Sequence, residues 1–435
     1  MSDLNVVGAT HLATVRDRGG PRRGAEQNQL DLVADGAVAI RHGRIAAVGR
    51  THEVMAEWGD PAVPVLDAAG KTVLPGLVEC HSHALFGGER HHEYAERLAG
   101  ASLAEVAARG GGIWASVEAS RSTGDSELRR RLARSYAHIL WGGVTTLEVK
   151  SGYGLTVAEE LRQLTLLEAS RQDTPMQLVI TFLGAHVVPR DLTTPGPDVE
   201  PSQVYTELIA DDMLPAVARQ GIAQFHDVTV EDGYFTPAQA RRLMDDGRAA
   251  GFTPRVHADA WKPSQGWATA AGAGAISADH LTYTPDHEIH DVGTTETVAG
   301  LLPMAELIYM TERRANARAF IDRDVPVAIS TDYCSSIHAT SLLVTMTMAA
   351  PWFRMTPAEA VVGTTLNAAY SLGLGAECGS LDVGKRGDLI VVDCPHPHEL
   401  FLAPGTPLLE AVVIEGAVVH APLVAATAGE PTNHG

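Results

Sequence analysis

The sequence predicts an α/β protein with a TIM-type (β/α)8 barrel and a small β-domain built from both ends of the chain. Three observations predict this architecture. Short apolar runs alternate with helical segments from about residue 75 to 370. Both ends of the chain have the sequence pattern of β-hairpins, and polar residues follow several of the apolar runs. Such strand–helix alternation is typical of a parallel barrel, in which the carboxyl ends of the strands share one face.

The two ends of the chain read as antiparallel β-structure. Residues 36–49 alternate apolar and polar side chains around a central turn, which is a hairpin signal. Residues 379–393 form a turn that leads into an apolar strand, and residues 409–419 resemble a second hairpin. The predicted units are a composite β-domain of residues 1–74 and 376–435 and a barrel of residues 75–375.

The middle of the chain supplies strand and helix candidates in alternation. The apolar runs predicted as buried strands are residues 144–150, 176–183, 222–230, 254–258, 275–281 and 325–331. The segments predicted as helices are residues 156–171, 236–250 and 312–323. A doubly wound open sheet is the alternative, but no Gly-x-Gly-x-x-Gly motif follows the first strand and polar residues end several strands at once. The barrel is therefore favoured.

Composition argues against several classes of function. Hydrophobic residues make up 45% of the chain and charged residues 20%, as in an ordinary globular protein. The net charge of −20 disfavours nucleic acid or an acidic membrane surface as partner, because both are polyanions. No apolar run reaches the roughly 20 residues that span a bilayer, and no secretion signal is evident at the start of the chain. The cysteines show no paired spacing, so we expect free thiols and a cytoplasmic location.

Two histidines, His81 and His83, follow the apolar run of residues 72–78. Residues i and i+2 of a strand point to the same face, so both imidazoles can reach one point in space. Such a pair is half of a metal site, although an isolated His-x-His is more often a solvated loop. The pair is not isolated, because other predicted strands also end in polar residues. These are Lys150 with Tyr153, His186, His257 with Asp259, His280 and Asp332.

Three imidazoles and one carboxylate among these residues suit a single divalent metal. The predicted ligands are His81, His83, His257 and Asp332, a donor set that fits zinc or iron. This set leaves a position for a water molecule, whose pKa the metal lowers towards ~7. The resulting hydroxide could attack an amide-like carbon while His280 polarises the carbonyl or carries a proton, and Asp332 could accept the proton of the water. A carboxylated Lys150 bridging two metals is the alternative, although the residues after it read as substrate contacts.

From about residue 30 to 420 the chain resembles the amidohydrolase superfamily, and within it the imidazolonepropionase family of histidine breakdown. The runs Lys150-Ser-Gly-Tyr-Gly-Leu155 and Thr181-Phe-Leu-Gly-Ala-His186 are far more specific than His-x-His. The other motifs of the resemblance are Pro75-Gly76, His81-Ser-His-Ala-Leu-Phe-Gly-Gly-Glu-Arg90, Arg109-Gly-Gly-Gly-Ile113, Val256-His-Ala-Asp259, Ser277-Ala-Asp-His-Leu281 and Ser330-Thr-Asp332.

The resemblance implies a barrel with a small β-sandwich domain, one zinc or iron ion and a homodimer. It also implies that Arg90, Tyr153 and His186 hold the substrate. Arg90 suits this role because its guanidinium offers a forked donor to a carboxylate. The implied reaction is hydrolysis of a five-membered imidazolone-type ring with a propionate arm, so the expected partner is a small molecule that carries a carboxylate.

The chain departs from the family pattern beside the predicted ligands. Three residues after His257, where the family has a Glu or Gln that contacts the ring, this chain has Ala260. After the last ligand the family reads Asp-Phe-Asn-Pro-Gly-Ser, whereas this chain reads Asp332-Tyr-Cys-Ser-Ser-Ile337. Cys334, Ser336 and the added His338 are therefore candidate substrate contacts. Because polar contacts to a ring decide which substituents are accepted, the ring substituent stays open.

Three alternative functions accompany this hypothesis. One is a sister reaction on a modified ring, namely a desulfhydrase that releases sulfide from 3-(5-oxo-2-thioxoimidazolidin-4-yl)propionate in ergothioneine breakdown. Another is a deaminase that acts on an aminated heterocycle. The last is a non-catalytic assembly protein of the same fold. Proteins of that last kind typically lose metal ligands, and all four candidate ligands are present here.

Overall fold

A computed structural model describes residues 2–194, 196 and 198–420 of the chain, with only the backbone at positions 103 and 104. The strands are β1 (Leu4–Ala13), β2 (Leu32–Arg41), β3 (Arg44–Arg50), β4 (Val65–Asp67), β5 (Thr72–Pro75), β6 (Leu77–Glu79), β7 (Val144–Lys150), β8 (Gln177–Ala185), β9 (Phe225–Val230), β10 (Thr253–Ala258), β11 (Ser277–His280), β12 (Val298–Leu301), β13 (Val327–Ile329), β14 (Leu389–Val392), β15 (Leu409–Ile414) and β16 (Ala417–His420).

The helix α1 packs on β2 and β3 of the second sheet, and the other helices follow the barrel strands in the chain. They are α1 (Thr51–Trp58), α2 (His91–Leu98), α3 (Leu103–Ala108), α4 (Ile113–Ser122), α5 (Asp125–Trp141), α6 (Val157–Ala169), α7 (Pro201–Leu208), α8 (Leu214–Gln220), α9 (Pro237–Ala249), α10 (Gly266–Gly272), α11 (Asp286–Asp291), α12 (Pro303–Tyr309), α13 (Ala317–Ile321), α14 (Leu342–Phe353), α15 (Pro357–Gly363) and α16 (Leu366–Ser371). Among the described residues, none of these helices combines the length and the apolar character that crossing a bilayer requires.

Eight parallel strands, β6 to β13, lie side by side in chain order. The ends of this sheet approach each other beyond β6 and β13, where Ser82 forms a parallel bridge with Tyr333. The carbonyl of Tyr333 accepts a 2.7 Å hydrogen bond from the His83 amide, which ties the same two segments together. The predicted TIM-type barrel is confirmed, and the open doubly wound sheet is wrong because the strand order is sequential.

A second sheet combines strands from both ends of the chain. Its order is β16-β15-β14-β5-β1-β2-β3, with β4 paired to β1. The two ends meet where β14 runs antiparallel to β5, with Ile390 opposite Leu74. The predicted β-domain from both termini is thus confirmed. Its proposed bounds remain a prediction, and residues 421–435 of the segment 376–435 lie outside the described residues.

The barrel strands are buried along almost their whole length, and only Gln177 of β8 and Thr253 of β10 are not buried. Every residue of β7 is buried, as expected for parallel strands covered by helices on one side and filled by side chains on the other. The helices begin at clear sequence signals. The α9 helix starts at Pro237, after Thr236, whose hydroxyl accepts a hydrogen bond from the Gln239 amide in a capping box. Such signals mark where a helix begins after the carboxyl end of a barrel strand, on the face that the strand ends share.

Two expectations for the middle of the chain need correction. The predicted helix of residues 312–323 is wrong in its first half, because the structure has only α13 there. The Ala315 amide donates instead to the Glu306 carboxylate, and the Asn316 side chain caps the short helix at the Ala319 amide. The strand β12 was not predicted, because its four residues include Gly300 and give no clear apolar run.

Candidate active site

The carboxyl ends of three barrel strands bring the predicted ligands together. His81 and His83 follow β6, His257 lies near the end of β10, and Asp332 follows β13. The Nε2 atoms of His83 and His257 are 3.3 Å apart, and Asp332 Oδ1 lies 3.6 Å from Nε2 of both His81 and His83. His280, the last residue of β11, joins this cluster beside His81 and Asp332.

The chemistry of this cluster fits a divalent metal ion. One ligand atom from each of His81, His83 and His257 lies within 4.8 Å of the others, and the same holds for His81, His280 and Asp332. His81 Nε2 is buried without a hydrogen-bond partner among the described residues. Burial lowers the pKa of His81 and of His83 well below its usual range, so both are neutral and offer lone pairs. Burial raises the pKa of Asp332 to about 7, an effect that a bound cation opposes.

Two buried aspartates orient the imidazoles. His81 Nδ1 donates a 2.9 Å hydrogen bond to Asp279, which also accepts a 3.0 Å bond from Arg255. His257 Nδ1 donates a 3.1 Å bond to Asp227. Each hydrogen bond fixes the ring tautomer and leaves Nε2 free to face the centre of the cluster. We did not predict these two roles from the sequence, although each aspartate is an acidic residue in a buried barrel strand.

The Lys150 ammonium is held between two carboxylates behind the cluster. It donates to Glu148 at 2.7 Å and to Asp227 at 2.9 Å, and all three side chains are buried. Burial lowers the pKa of Lys150, but the charges of Asp227 and Glu148 outweigh this effect and raise the pKa above its usual value. This arrangement favours a charged lysine that positions Asp227 over a carboxylated lysine that bridges two metals.

A cavity of about 290 Å³ opens in front of the histidine cluster. Its walls include Arg90, Tyr153, His186 and Cys334, which are four of the predicted substrate contacts. His186 stacks on His83 with ring centroids 5.0 Å apart. Cavity-lining residues that we did not single out from the sequence include Trp114, Thr229, Glu231, Asp232, Tyr234, Trp261 and Tyr309.

The Arg90 guanidinium has a carboxylate partner within the chain. Its Nε and Nη2 atoms lie 2.9 Å and 2.8 Å from Glu93 Oε2, and Nη1 donates a 3.4 Å bond to the Ser336 hydroxyl. Tyr309 shares that hydroxyl at 2.7 Å. A ligand carboxylate would therefore meet the Nη1 side of Arg90, beside Ser336 and Tyr309.

His338 lies apart from the other predicted contacts. Its ring packs against Phe86 and Tyr333, with centroids 5.7 Å and 5.8 Å away. It lines a separate polar cavity with Arg134 and His138. The structure therefore brings Arg90, Tyr153, His186 and Cys334 around one cavity and leaves His338 outside it. Ser336 contacts Arg90 and Cys334 of that cavity.

Comparison with known sequences identifies similar proteins across almost the whole chain. The amidohydrolase family profile matches residues 229–424. The imidazolonepropionase of Geobacillus kaustophilus is 40% identical over 398 residues, which cover 91% of this chain and 92% of that protein. The imidazolonepropionase of Symbiobacterium thermophilum is 39% identical, covering 96% of this chain and 97% of the relative. That of Haloarcula marismortui is 38% identical, covering 97% and 96% respectively.

Solved structures share the fold at lower sequence identity. A triazine hydrolase variant superimposes with a TM-score of 0.71 and 18% identity, covering 97% of this chain and 96% of its own. An adenosine deaminase from Xanthomonas campestris with bound zinc has a TM-score of 0.68 and 19% identity, covering 96% and 92%. Both likenesses concern the arrangement of the barrel and the second sheet.

Proposed function

The chain belongs to the imidazolonepropionase family of amidohydrolases, and we propose that it is a metal-dependent hydrolase that opens a five-membered imidazolone ring bearing a propionate arm. The observation that carries this proposal is the convergence of His81, His83, His257 and Asp332 at the floor of a cavity whose wall holds Arg90. A metal site and a carboxylate-binding group in one small cavity match such a substrate at both of its ends.

Different side chains around the cavity carry out different steps of ring opening. His81, His83, His257 and Asp332 would hold a divalent ion, which would supply a Lewis acid for an amide carbonyl and a nucleophilic water at neutral pH. His280 lines the cavity beside Asp332 and is placed to donate a hydrogen bond to the carbonyl oxygen as charge develops on it. Asp332 is placed to take the water proton and deliver it to the leaving ring nitrogen. The carbonyl carbon gains the water oxygen, the ring C–N bond breaks, and the nitrogen gains the proton.

The ligand set accommodates either zinc or iron, because three imidazoles and one carboxylate suit both ions. In the same cavity, Arg90, Tyr153 and His186 hold the substrate. Tyr153 and His186 lie next to each other, with ring centroids 5.4 Å apart and ring planes inclined by 43°, so that the substrate ring can contact both. Arg90 pairs with the propionate through Nη1 beside Ser336.

The test is to incubate the enzyme, loaded separately with zinc and with iron, with imidazolone propionate. We expect the absorbance of the ring to fall and an acyclic product with a second carboxylate to form, without release of ammonia. Release of ammonia would instead indicate a deaminase. If the 2-thioxo analogue were consumed with release of sulfide and imidazolone propionate were left intact, the proposed ring-opening activity would be wrong.

We also propose that the protein works as a homodimer in the cytoplasm. The resemblance to the family supports the dimer. The four cysteines support the compartment, because all of them are unpaired thiols. Sedimentation velocity at micromolar concentration tests the dimer, and a single species with the mass of one chain would contradict it.

A further inference from the structure

One strand carries a polar ladder that leads from the metal cluster into the cavity. Asp227, Thr229 and Glu231 alternate along and just beyond β9, so their side chains point to the same face. Asp227, at the bottom, holds His257 and Lys150. Thr229 and Glu231, further along, line the cavity itself. This places both side chains beside the space that a bound ring would occupy.

Both cavity-lining members of the ladder keep an unsatisfied polar atom. Thr229 Oγ1 and Glu231 Oε2 are buried, and neither has a hydrogen-bond partner among the described residues. The residues themselves are only 6% and 4% exposed. Buried polar atoms without partners are rare in folded proteins, and two on one face of one strand call for a shared ligand.

The other oxygen of Glu231 anchors the carboxyl group. Oε1 accepts a hydrogen bond from the Ala260 amide, at the position where the family pattern has a Glu or Gln. The methyl group of Ala260 also lines the cavity and offers no polar atom. Glu231 is therefore the carboxyl group held beside position 260, with Oε2 left to bind a ligand.

The electrostatic environment makes this pair suitable for an uncharged ring. Burial raises the pKa of Glu231 to about 8, against the opposing effect of the Ala260 amide. At neutral pH the side chain is mostly a carboxylic acid, which both donates and accepts hydrogen bonds, as does the Thr229 hydroxyl. Such a pair matches a ring with adjacent N–H and C=O groups.

We propose that Thr229 and Glu231 form a two-point hydrogen-bonding edge that recognises the ring of the substrate. This edge replaces the contact that a Glu or Gln side chain makes at the position of Ala260 in the family pattern. This inference rests on the proposed function, because it assigns the residues that read the ring in that reaction. The edge fixes the ring so that its carbonyl group faces His280 and the metal cluster.

The test compares two variants that remove one hydrogen-bonding group each. Thr229→Val keeps the shape of the side chain and removes the hydroxyl, and Glu231→Leu removes the carboxyl group. We expect each to lower kcat/KM for imidazolone propionate by about ten- to a hundredfold, as expected for the loss of one buried hydrogen bond to a ligand. We also expect metal content to stay unchanged. Glu231→Gln should lie within about threefold of the wild type, because an amide can also accept from Ala260 and donate to the ring.

A substrate with a methylated ring nitrogen separates recognition from a merely structural role. The wild type should lose activity on this analogue, and the variant that has lost the matching contact should lose little more, because the two changes remove the same hydrogen bond. Thr206→Val is the matched control. Thr206 is a buried threonine of α7 whose hydroxyl bonds to the Ser202 carbonyl away from the cavity.

The outcomes are distinct. If the wild type does not open the ring, the proposed function itself fails. If the wild type is active and Thr229→Val and Glu231→Leu match it, only the recognition edge is wrong. Additive losses for the variants and the methylated analogue would also overturn it. Should Glu231→Leu fail to fold, Thr229→Val alone decides between these results.

Discussion

Asp279 illustrates how a residue outside the ligand set can control the metal site. Its Oδ2 accepts hydrogen bonds from His81 Nδ1 and from Arg255, so its negative charge faces the far side of a ligand imidazole. A carboxylate in this position fixes the ring and raises its basicity as a ligand. The sequence did not predict this role, because an acidic residue in a buried strand does not by itself show which histidine it contacts.

Replacing this carboxylate should weaken metal binding without removing a ligand. We expect Asp279→Asn to reduce metal affinity by about 10- to 100-fold, the usual effect of losing a carboxylate behind a ligand histidine. Titration with a competing chelator measures it. Asp291→Asn, on an exposed part of α11, is the control and should bind metal as the wild type does. Unchanged affinity in Asp279→Asn would show that its charge does not act on His81.

The ligand set makes a more direct prediction at His257. We expect His257→Ala to lose most of its bound metal and at least about a hundredfold in kcat, since one of four ligands is removed. Elemental analysis and activity on the same preparation check this. His338→Ala should retain its metal, because His338 packs against Phe86 and Tyr333 in the separate cavity. If His257→Ala kept both metal and full activity, the ligand assignment would be wrong.

If Arg90 binds the substrate carboxylate, its loss should reduce activity mainly on substrates that carry a carboxylate. Arg90→Ala should lower kcat/KM by about tenfold or more for the substrate with a propionate arm, and much less for a truncated ring without a carboxylate. Steady-state kinetics on both compounds measure the difference. Arg130→Ala, on the exposed surface of α5, provides the control. Equal losses on the two compounds would refute the pairing of Arg90 with the propionate.

At the scale of secondary-structure elements, the packing of β12 against β11 protects the orientation of Asp279. Gly300 of β12 is directly opposite Asp279 in the parallel pair. A Cβ atom at position 300 would overlap the Asp279 carboxyl group. Gly300 therefore leaves the space that the Asp279 carboxyl group occupies. That carboxyl group in turn contacts His81, one of the proposed metal ligands.

This relation predicts an effect from a small change on a neighbouring strand. Gly300→Ala should displace the Asp279 carboxyl group and lower metal affinity by about tenfold, with a smaller loss of thermal stability. Gly272→Ala at the end of α10 is the control, because a Cβ there meets no other atom within 4 Å. Chelator competition and thermal unfolding of both variants separate the two effects. Equal metal affinity in all three proteins would contradict the role of Gly300.

Strand ends were the most predictable part of the site, and side-chain partners were the least. The run 144–150 coincides with β7, and His81, His83, His257 and Asp332 meet as their positions after apolar strands predicted. Thr229 and Glu231 were missed because the alternation of apolar and polar residues from 228 to 231 is also typical of an ordinary strand. The proposed role depends on Ala260, which lies in the loop after β10, and a single sequence gives no measure of that distance.

At the scale of the whole molecule, both ends of the chain are joined to the barrel around Asp17. This carboxylate accepts hydrogen bonds from the Lys385 ammonium at 2.9 Å and from the Tyr370 hydroxyl of α16 at 2.8 Å. It also accepts a 2.8 Å bond from the Gly19 amide, which fixes its own loop. One acidic side chain thus links the N-terminal segment, the last barrel helix and the C-terminal segment.

This junction gives stability a predictable dependence on pH. Burial raises the pKa of Asp17, but the hydrogen bonds from Lys385 and Tyr370 outweigh burial and hold the pKa below the usual value of 3.8. A depressed pKa in the folded state means that the ionised group stabilises the fold above about pH 4. That contribution disappears as the pH falls through the pKa of the folded state. We therefore expect Asp17→Asn to lower the Tm by roughly 1–2 °C at pH 7.

The same reasoning makes the difference vanish in acid. Below the lowered pKa both proteins carry a neutral side chain at position 17, so their urea midpoints should converge towards pH 3. Asp212→Asn on the exposed surface is the control and should follow the wild type at every pH. A gap between Asp17→Asn and the wild type that is equally large at pH 3 and pH 7 would mean that shape, and not charge, holds the two ends of the chain to the barrel.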